Sequence, residues 1–114
     1  MSADVAWAAG FFDGEGTSYV DYHTNLSKKK YPYVCVTAPQ VADNREVLDK
    51  LQRIFGGSVH KRGVRRGRPQ MTWRIRNRPG AEEVMRRMWP HLGTAKRTQF
   101  CLAYEKAYDE TFQP

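Results

Sequence analysis

The spacing of apolar residues changes along the first third of the chain and predicts a helix followed by two strands. We place the helix at about residues 3–13, because its apolar residues follow helical spacing: Trp7, Ala8, Phe11 and Phe12. Residues 17–23 and 31–39 are rich in β-branched and aromatic side chains and alternate in polarity, which is typical of strands. These two strands would form a hairpin with one polar face.

The rest of the chain predicts a second helix and a second hairpin. An apolar face that starts at Val47 indicates a helix beginning at Asp43 and ending at Gly56-Gly57. Residues 58–62 and 70–76 are the strands of the hairpin, and the segment between them is rich in glycine and arginine.

Two further helices complete the pattern. Pro79-Gly80 opens the third helix, and Thr94 is expected to cap the fourth. The order is therefore helix, two strands, helix, two strands and two helices. We expect one α+β domain spanning residues 1–114, since the chain is long enough for a modest core.

The first helix also carries a stripe of very small side chains. Ala6, Gly10 and Gly14 are spaced by four, and glycine in a helix costs roughly 1 kcal/mol relative to alanine. The usual reason for such glycines is the close approach of another backbone. The helix ends near Glu15, where a negative charge is unfavourable unless a cation lies beside it.

The charge balance points to a polyanionic partner. The chain has 19 basic and 12 acidic residues, a net charge of +7 and a pI of about 9.7, which favours nucleic acid over a merely soluble basic protein. Mean hydropathy is −0.72, and neither a membrane span nor a signal peptide is visible. We expect an intracellular protein of the cytoplasm, nucleoid or an organelle, with no membrane partner and no secretion.

The polar face of the sheet is the candidate surface for double-stranded DNA, because a two-stranded ribbon fits the major groove. Each position alone is equally compatible with a solvated strand. The candidates for base readout are Thr17, Tyr19, Asp21, His23, Tyr33, Thr37, Gln70, Thr72, Arg74 and Arg76. The candidates in the two connections and at the end of the predicted strand 58–62 are Asn25, Lys28, Lys29, Lys30, Lys61, Arg62, Arg65, Arg66 and Arg68. Alternation does not fix which face Lys61 and Arg62 use.

A motif in the first helix resembles a known family. Residues 8–16, Ala-Ala-Gly-Phe-Phe-Asp-Gly-Glu-Gly, are similar to the signature of the LAGLIDADG homing endonucleases, although Ala8 is smaller than the usual leucine. The resemblance covers roughly residues 7–104. It implies an αββαββα fold in which four antiparallel strands form a saddle-shaped sheet with helices on one face.

The resemblance also implies the roles of individual residues. Glu15 and the backbone carbonyl of Gly14 would bind a catalytic Mg²⁺, for which Mn²⁺ or Ca²⁺ could substitute in binding. Gln40 would lie beside the metal, and Lys96 would order water near the scissile phosphate. Without the resemblance, Gln40 is a loop glutamine and Lys96 an exposed lysine. For Asp13 we favour a structural role, facing a partner helix or a backbone amide, over metal binding.

A chain with one motif is expected to act as a homodimer. The resemblance places Ala6, Ala9, Gly10, Asp13 and Gly14 at the contact, and closed two-fold symmetry is the commonest oligomer. The implied reaction is a double-strand break at a long, near-palindromic site, with no small-molecule substrate. The alternative is a non-cleaving protein of the same fold, either an intron maturase or a DNA-binding regulator. A DNA-packaging protein would leave the motif unexplained.

Overall fold

The computed structural model describes residues 2–114, which form four helices and four strands. In chain order these are α1 Ser2–Glu15, β1 Thr17–Thr24, β2 Lys30–Val41, α2 Glu46–Phe55, β3 Ser58–Arg65, β4 Arg68–Ile75, α3 Arg78–Met88 and α4 Thr94–Tyr108. Two short 3-10 turns, Ala42–Asn44 and Trp89–His91, precede α2 and α4. The expected α+β class and element order are confirmed.

The four strands form one antiparallel sheet in the order β1-β2-β4-β3. Alternate residues of the two central strands point to a common core, which includes Val34, Val36, Ala38, Trp73 and Ile75. The helices cover this side of the sheet and leave the other side open. Among residues 2–114, no helix has the length and apolarity needed to cross a membrane.

The helices complete the core with their apolar faces. Ala8 and Phe12 of α1 are fully buried, as are Leu48 of α2 and Phe100 of α4. Trp73 anchors the sheet to the end of α2, because its indole nitrogen donates to the Gly56 carbonyl at 2.8 Å. The core thus fixes α1 and α4 against β1 and β2, and it is the ends of these elements that form the site described below.

Several element boundaries differ from the sequence prediction. Helix α1 runs through Gly14, so Glu15 is its last residue. Asp43 lies in a 3-10 turn and makes no capping hydrogen bond, so α2 starts at Glu46. Helix α4 is preceded by Gly93 instead of being capped by Thr94.

The largest difference is in the second hairpin, whose arginine-rich connection is paired strand instead of loop. Pairing continues to Arg65 and Arg68, and only the two residues Arg66 and Gly67 turn the chain, with φ of 53° and 74°. Two consecutive positive φ angles match the twist of a tight hairpin. We call this projecting part, residues 62–68, the arginine ribbon.

Candidate functional site

The end of α1 places Glu15 at the start of the sheet. The carboxylate-bearing residue is exposed, while the next residue, Gly16, is buried against the Phe12 ring. A Cβ atom on Gly16 would come within 2.1 Å of that ring. Glycine is therefore required for the chain to leave the helix here and enter β1 at Thr17.

Helix α4 holds this turn from the other side. Lys96 donates from Nζ to the carbonyl of Gly16, and Gln99 accepts a hydrogen bond from the Ser18 amide at 3.0 Å. These two side chains, three residues apart on one helix face, fix the backbone that follows Glu15. The structure thus places Lys96 at the backbone carbonyl of the residue that follows Glu15, and its expected role in ordering water stays a prediction.

Asp13 has a separate contact within the same chain. Its carboxylate accepts from the amide of Gly93, with N–O distances of 3.0 and 3.1 Å. Gly93 precedes α4, and an acid is favourable at a helix N-terminus. The structure thus places Asp13 at a backbone amide, which was one of its two expected structural roles, and not at the surface of the small-residue stripe.

Glu15 and Gln40 share one cleft, which we call the Glu15 cleft. Gln40 is a strand residue of β2 and not a loop residue, and its Oε1 accepts from the Val41 amide at 2.9 Å. The opposite wall of the cleft is the arginine ribbon. The cleft is lined by Glu15, Pro39, Gln40, Val41, Gln70 and the ribbon residues Arg62, Gly63, Val64, Arg65, Arg66 and Arg68.

The open face of the sheet carries most of the residues predicted to read DNA. The register pairs Thr17 with Thr37 and Asp21 with Tyr33, and pairs Thr37 in turn with Arg74. Directly opposed residues of a sheet point to the same side. This polar face is formed by Thr17, Tyr19, Asp21, His23, Tyr33, Thr37, Gln70, Thr72 and Arg74, and Arg76 reaches it just beyond the end of β4.

Three of these side chains form a hydrogen-bonded chain across the face. Arg76 donates from Nη2 to the Tyr33 hydroxyl at 3.3 Å, and this hydroxyl donates to Oδ2 of Asp21 at 3.2 Å. The Arg76 guanidinium lies 5.8 Å from the centre of the Tyr33 ring. A strand-end arginine is therefore fixed by residues of two other strands.

Burial shifts the pKa of other groups on this face. Desolvation, together with a hydrogen bond to Cys35, raises the pKa of Tyr19 to about 12. Burial also raises the pKa of the Cys35 thiol. Both groups are therefore neutral donors at neutral pH, and not charged contacts.

The sequence analysis overlooked His60, which lies opposite Thr72 and so belongs to the polar face. Burial, and then the charges of Arg74 and Arg76, lower its pKa. Alternation of β3 about the inward-facing Val59 was the signal that could have identified it.

Three predicted site residues lie elsewhere. Lys61 is opposite Met71, a core residue, so it points to the helix side of the sheet and not to the polar face. Asn25 uses its side chain within the first hairpin, where it accepts from the Lys29 amide at 3.0 Å. Ala9 is fully buried inside its own chain, so it offers no surface to a partner helix.

The small-residue stripe of α1 remains on the surface. Ala6, Gly10 and Gly14 are exposed, and a Cβ atom on either glycine would meet no atom within 4 Å. The chain's own packing therefore does not require glycine at these two positions. Nothing within one subunit explains why glycines, which lower the stability of a helix, occupy these positions.

The metal-binding capacity of one subunit is small. Among residues 2–114 there is no group of three or more His, Cys, Asp or Glu side chains that could hold a metal ion. At the end of α1 the available oxygen donors are the Glu15 carboxylate and backbone carbonyls of the last helical turn other than that of Phe12, which accepts from the Gly16 amide at 2.7 Å. This donor set suits a hard cation such as Mg²⁺, provided that other ligands come from outside the chain.

The profile of the family described as LAGLIDADG endonuclease matches residues 8–106 of the chain. The chain belongs to this family. The LAGLIDADG match covers all eight helices and strands at least in part, including Glu15, Gln40 and Lys96.

The chain is also similar to solved structures and to a curated protein. The homing endonuclease I-CvuI, in complex with its target in the presence of Ca, has a TM-score of 0.72 at 22% identity, covering 90% of this chain and 64% of that one. The homing endonuclease I-TnaI has a TM-score of 0.71 at 30% identity, and the match covers 84% of this chain and 65% of that one. The intron-encoded DNA endonuclease ai2b of Dictyostelium discoideum is 38% identical over 60 residues, 53% of this chain and 21% of that protein. The chain thus spans less than two thirds of each of these relatives.

Proposed function

We propose that the chain is a homodimeric, divalent-metal-dependent homing endonuclease that makes a double-strand break in a long, near-palindromic DNA site. The observation that carries the proposal is the cleft shared by Glu15 and Gln40, which adjoins the polar face of the sheet. Lys96 contacts the carbonyl of Gly16, the residue that follows Glu15. A DNA-binding surface and the proposed reacting groups thus meet at one place.

The size of the molecule supports a long site. Its largest extent is 39 Å, which corresponds to about 11 base pairs at about 3.4 Å each. Two subunits side by side would cover about twice that length. Because a two-fold assembly presents the same surface twice, its target repeats as an inverted sequence.

The proposed dimer contact is the stripe of Ala6, Gly10 and Gly14. These residues are exposed and have no packing role in their own chain, and glycine at a helix surface permits a close helix–helix approach. A two-fold axis through the stripe would bring two copies of Glu15 together, one for each DNA strand.

The Glu15 carboxylate and the Gly14 carbonyl would hold the metal ion, with DNA phosphates and the second copy supplying further oxygens. When bound, the ion supplies neutralisation of phosphate charge and activation of water. I-CvuI has been crystallised with DNA in the presence of Ca and of Mg, which supports divalent metal use by the family.

Two further residues of the chain would position the reacting groups. Gln40, whose carbonyl oxygen is bound to the Val41 amide, has its amide nitrogen available to orient water. Lys96 holds the turn that aims Glu15.

In the reaction a water oxygen bonds to phosphorus and one P–O ester bond breaks. The freed sugar oxygen takes one proton of the water, and the other proton remains on or leaves the new phosphate.

The test uses DNA that the wild-type protein binds from a randomised library. We expect the wild type to cut this DNA in Mg²⁺, whereas Glu15→Gln binds it but cuts below detection. Glu105→Gln, which removes an exposed acid of α4, serves as the matched control and should cut normally. Binding without cutting by the wild type would favour the non-cleaving alternative, and undiminished cutting by Glu15→Gln would contradict the role of Glu15.

A further inference from the structure

Strand β3 contains one irregularity, and it lies beside the Glu15 cleft. Lys61 pairs with Met71, but Gly63 pairs with Gln70, so Arg62 is an extra residue in the strand. Gly63 has a φ of 123°, which side chains of L residues rarely adopt. A bulge of this kind re-aims the side chain that it carries and is common beside active sites.

The bulge places Arg62 where two surfaces join. Arg62 lines the Glu15 cleft with Gln40, and it also lines the neighbouring hollow of the polar face with Thr17 and Arg74. Pro39 is the other residue common to both. A DNA strand that crosses the polar face toward Glu15 would therefore pass Arg62.

Arg65 lines the same cleft but pairs with Arg68 beyond the bulge and does not line the polar-face hollow. The remaining cations near Glu15 are differently placed. Lys96 is bound to the Gly16 carbonyl, and Arg68 forms an ion pair with Asp43 at 3.7 Å. Arg66 lies in the turn at the far end of the ribbon. Within residues 2–114, the Arg62 side chain is exposed and forms no ion pair, so its guanidinium donors are available to a ligand.

We propose that Arg62 is a further catalytic residue, whose guanidinium contacts the phosphate that is hydrolysed beside Glu15. This inference rests on the proposed function. The planar fork of arginine binds two phosphate oxygens at once. Negative charge on these oxygens rises as the water oxygen adds and the ester bond breaks, so a guanidinium bound to them favours the transition state over the bound DNA.

The test measures single-turnover cleavage at saturating DNA together with the Kd for the same DNA. We expect Arg62→Gln to lower the cleavage rate by about 100-fold, as for the loss of one oxyanion donor, with little change in Kd. Arg53→Gln, the matched control, removes an exposed arginine of α2 on the helix side of the sheet and should change neither the rate nor the Kd. Equal effects of the two substitutions, or an Arg62→Gln effect on Kd alone, would overturn the inference.

Two further variants separate this inference from failures of folding or of the proposed function. Arg62→Lys should recover part of the rate, because it keeps the charge but not the fork. Gly63→Ala should lower the rate while retaining DNA binding, since it disfavours the bulge. If the wild type cuts, Glu15→Gln does not, and Arg62→Gln keeps the wild-type rate, this inference alone is wrong. If the wild type does not cut, the proposed function fails first.

Discussion

Tyr33 joins β1, β2 and the residue just after β4 by hydrogen bonds on the polar face. Its hydroxyl accepts from Arg76 and donates to Asp21, and its ring lies beside the same guanidinium. An arginine held in this way has few orientations and is suited to bidentate contact with a guanine. Asp21 and Tyr33 would then act by positioning Arg76.

Replacing Tyr33 with Phe should relax base preference at one position of each half-site. We expect a loss of about 1 kcal/mol of discrimination there, because Arg76 loses its hydrogen bond while its charge remains. Binding to a panel of single-base-pair variants of the selected target measures this. Tyr31→Phe, on the same strand and face, is the control; equal weakening on every target by Tyr33→Phe would contradict the positioning role.

Single residues also show where sequence reasoning stops. The motif singled out Glu15, and the family resemblance added Gln40 and Lys96 as candidates. The contacts of these residues depend on tertiary structure: Lys96 binds a backbone carbonyl 80 residues away, and Asp13 binds the Gly93 amide at the same separation. No local pattern encodes such partners.

At the level of elements, the exposed stripe of Ala6, Gly10 and Gly14 on α1 is the proposed dimer contact. Gly10→Leu should leave the subunit folded, because a Cβ atom there meets nothing, but it should weaken self-association by about 1–3 kcal/mol through overpacking. Sedimentation over a range of concentrations measures this. As a control, Glu105→Leu adds the same side chain at an exposed position of α4. A wild-type protein that is monomeric at all concentrations and on DNA would contradict the proposed dimer.

Strand periodicity predicted the two faces of β1, β2 and β4, since each has a regular register over the residues concerned. For β3 it predicted only residues 58–62, and it did not fix the faces of Lys61 and Arg62. The bulge after Lys61 shifts the alternation by one residue, and exposed arginines resemble a loop although they are paired. Helix starts were also misplaced, because Asp43 and Thr94 are common capping residues that make no capping bond here.

At the level of the whole molecule, basic groups lie at both ends of the sheet. Lys28, Lys29 and Lys30 are at the first hairpin, and the arginine ribbon is at the opposite end, near Glu15. Lys29→Gln should weaken binding equally on specific and random DNA and reduce the salt slope by about one unit. Lys106→Gln, on exposed α4, is the control. A sequence-dependent loss with Lys29→Gln would contradict a phosphate contact.

In the proposed dimer, two symmetric copies of Glu15 each cut one DNA strand. The most direct measurement mixes wild-type and Glu15→Gln subunits, refolds them together, and follows supercoiled plasmid that carries the selected target. Mixed dimers retain one active centre, so we expect nicked circles to accumulate as a product that the wild type alone does not build up. Linear product without accumulated nicked circles, in proportion to the wild-type protein present, would contradict the claim.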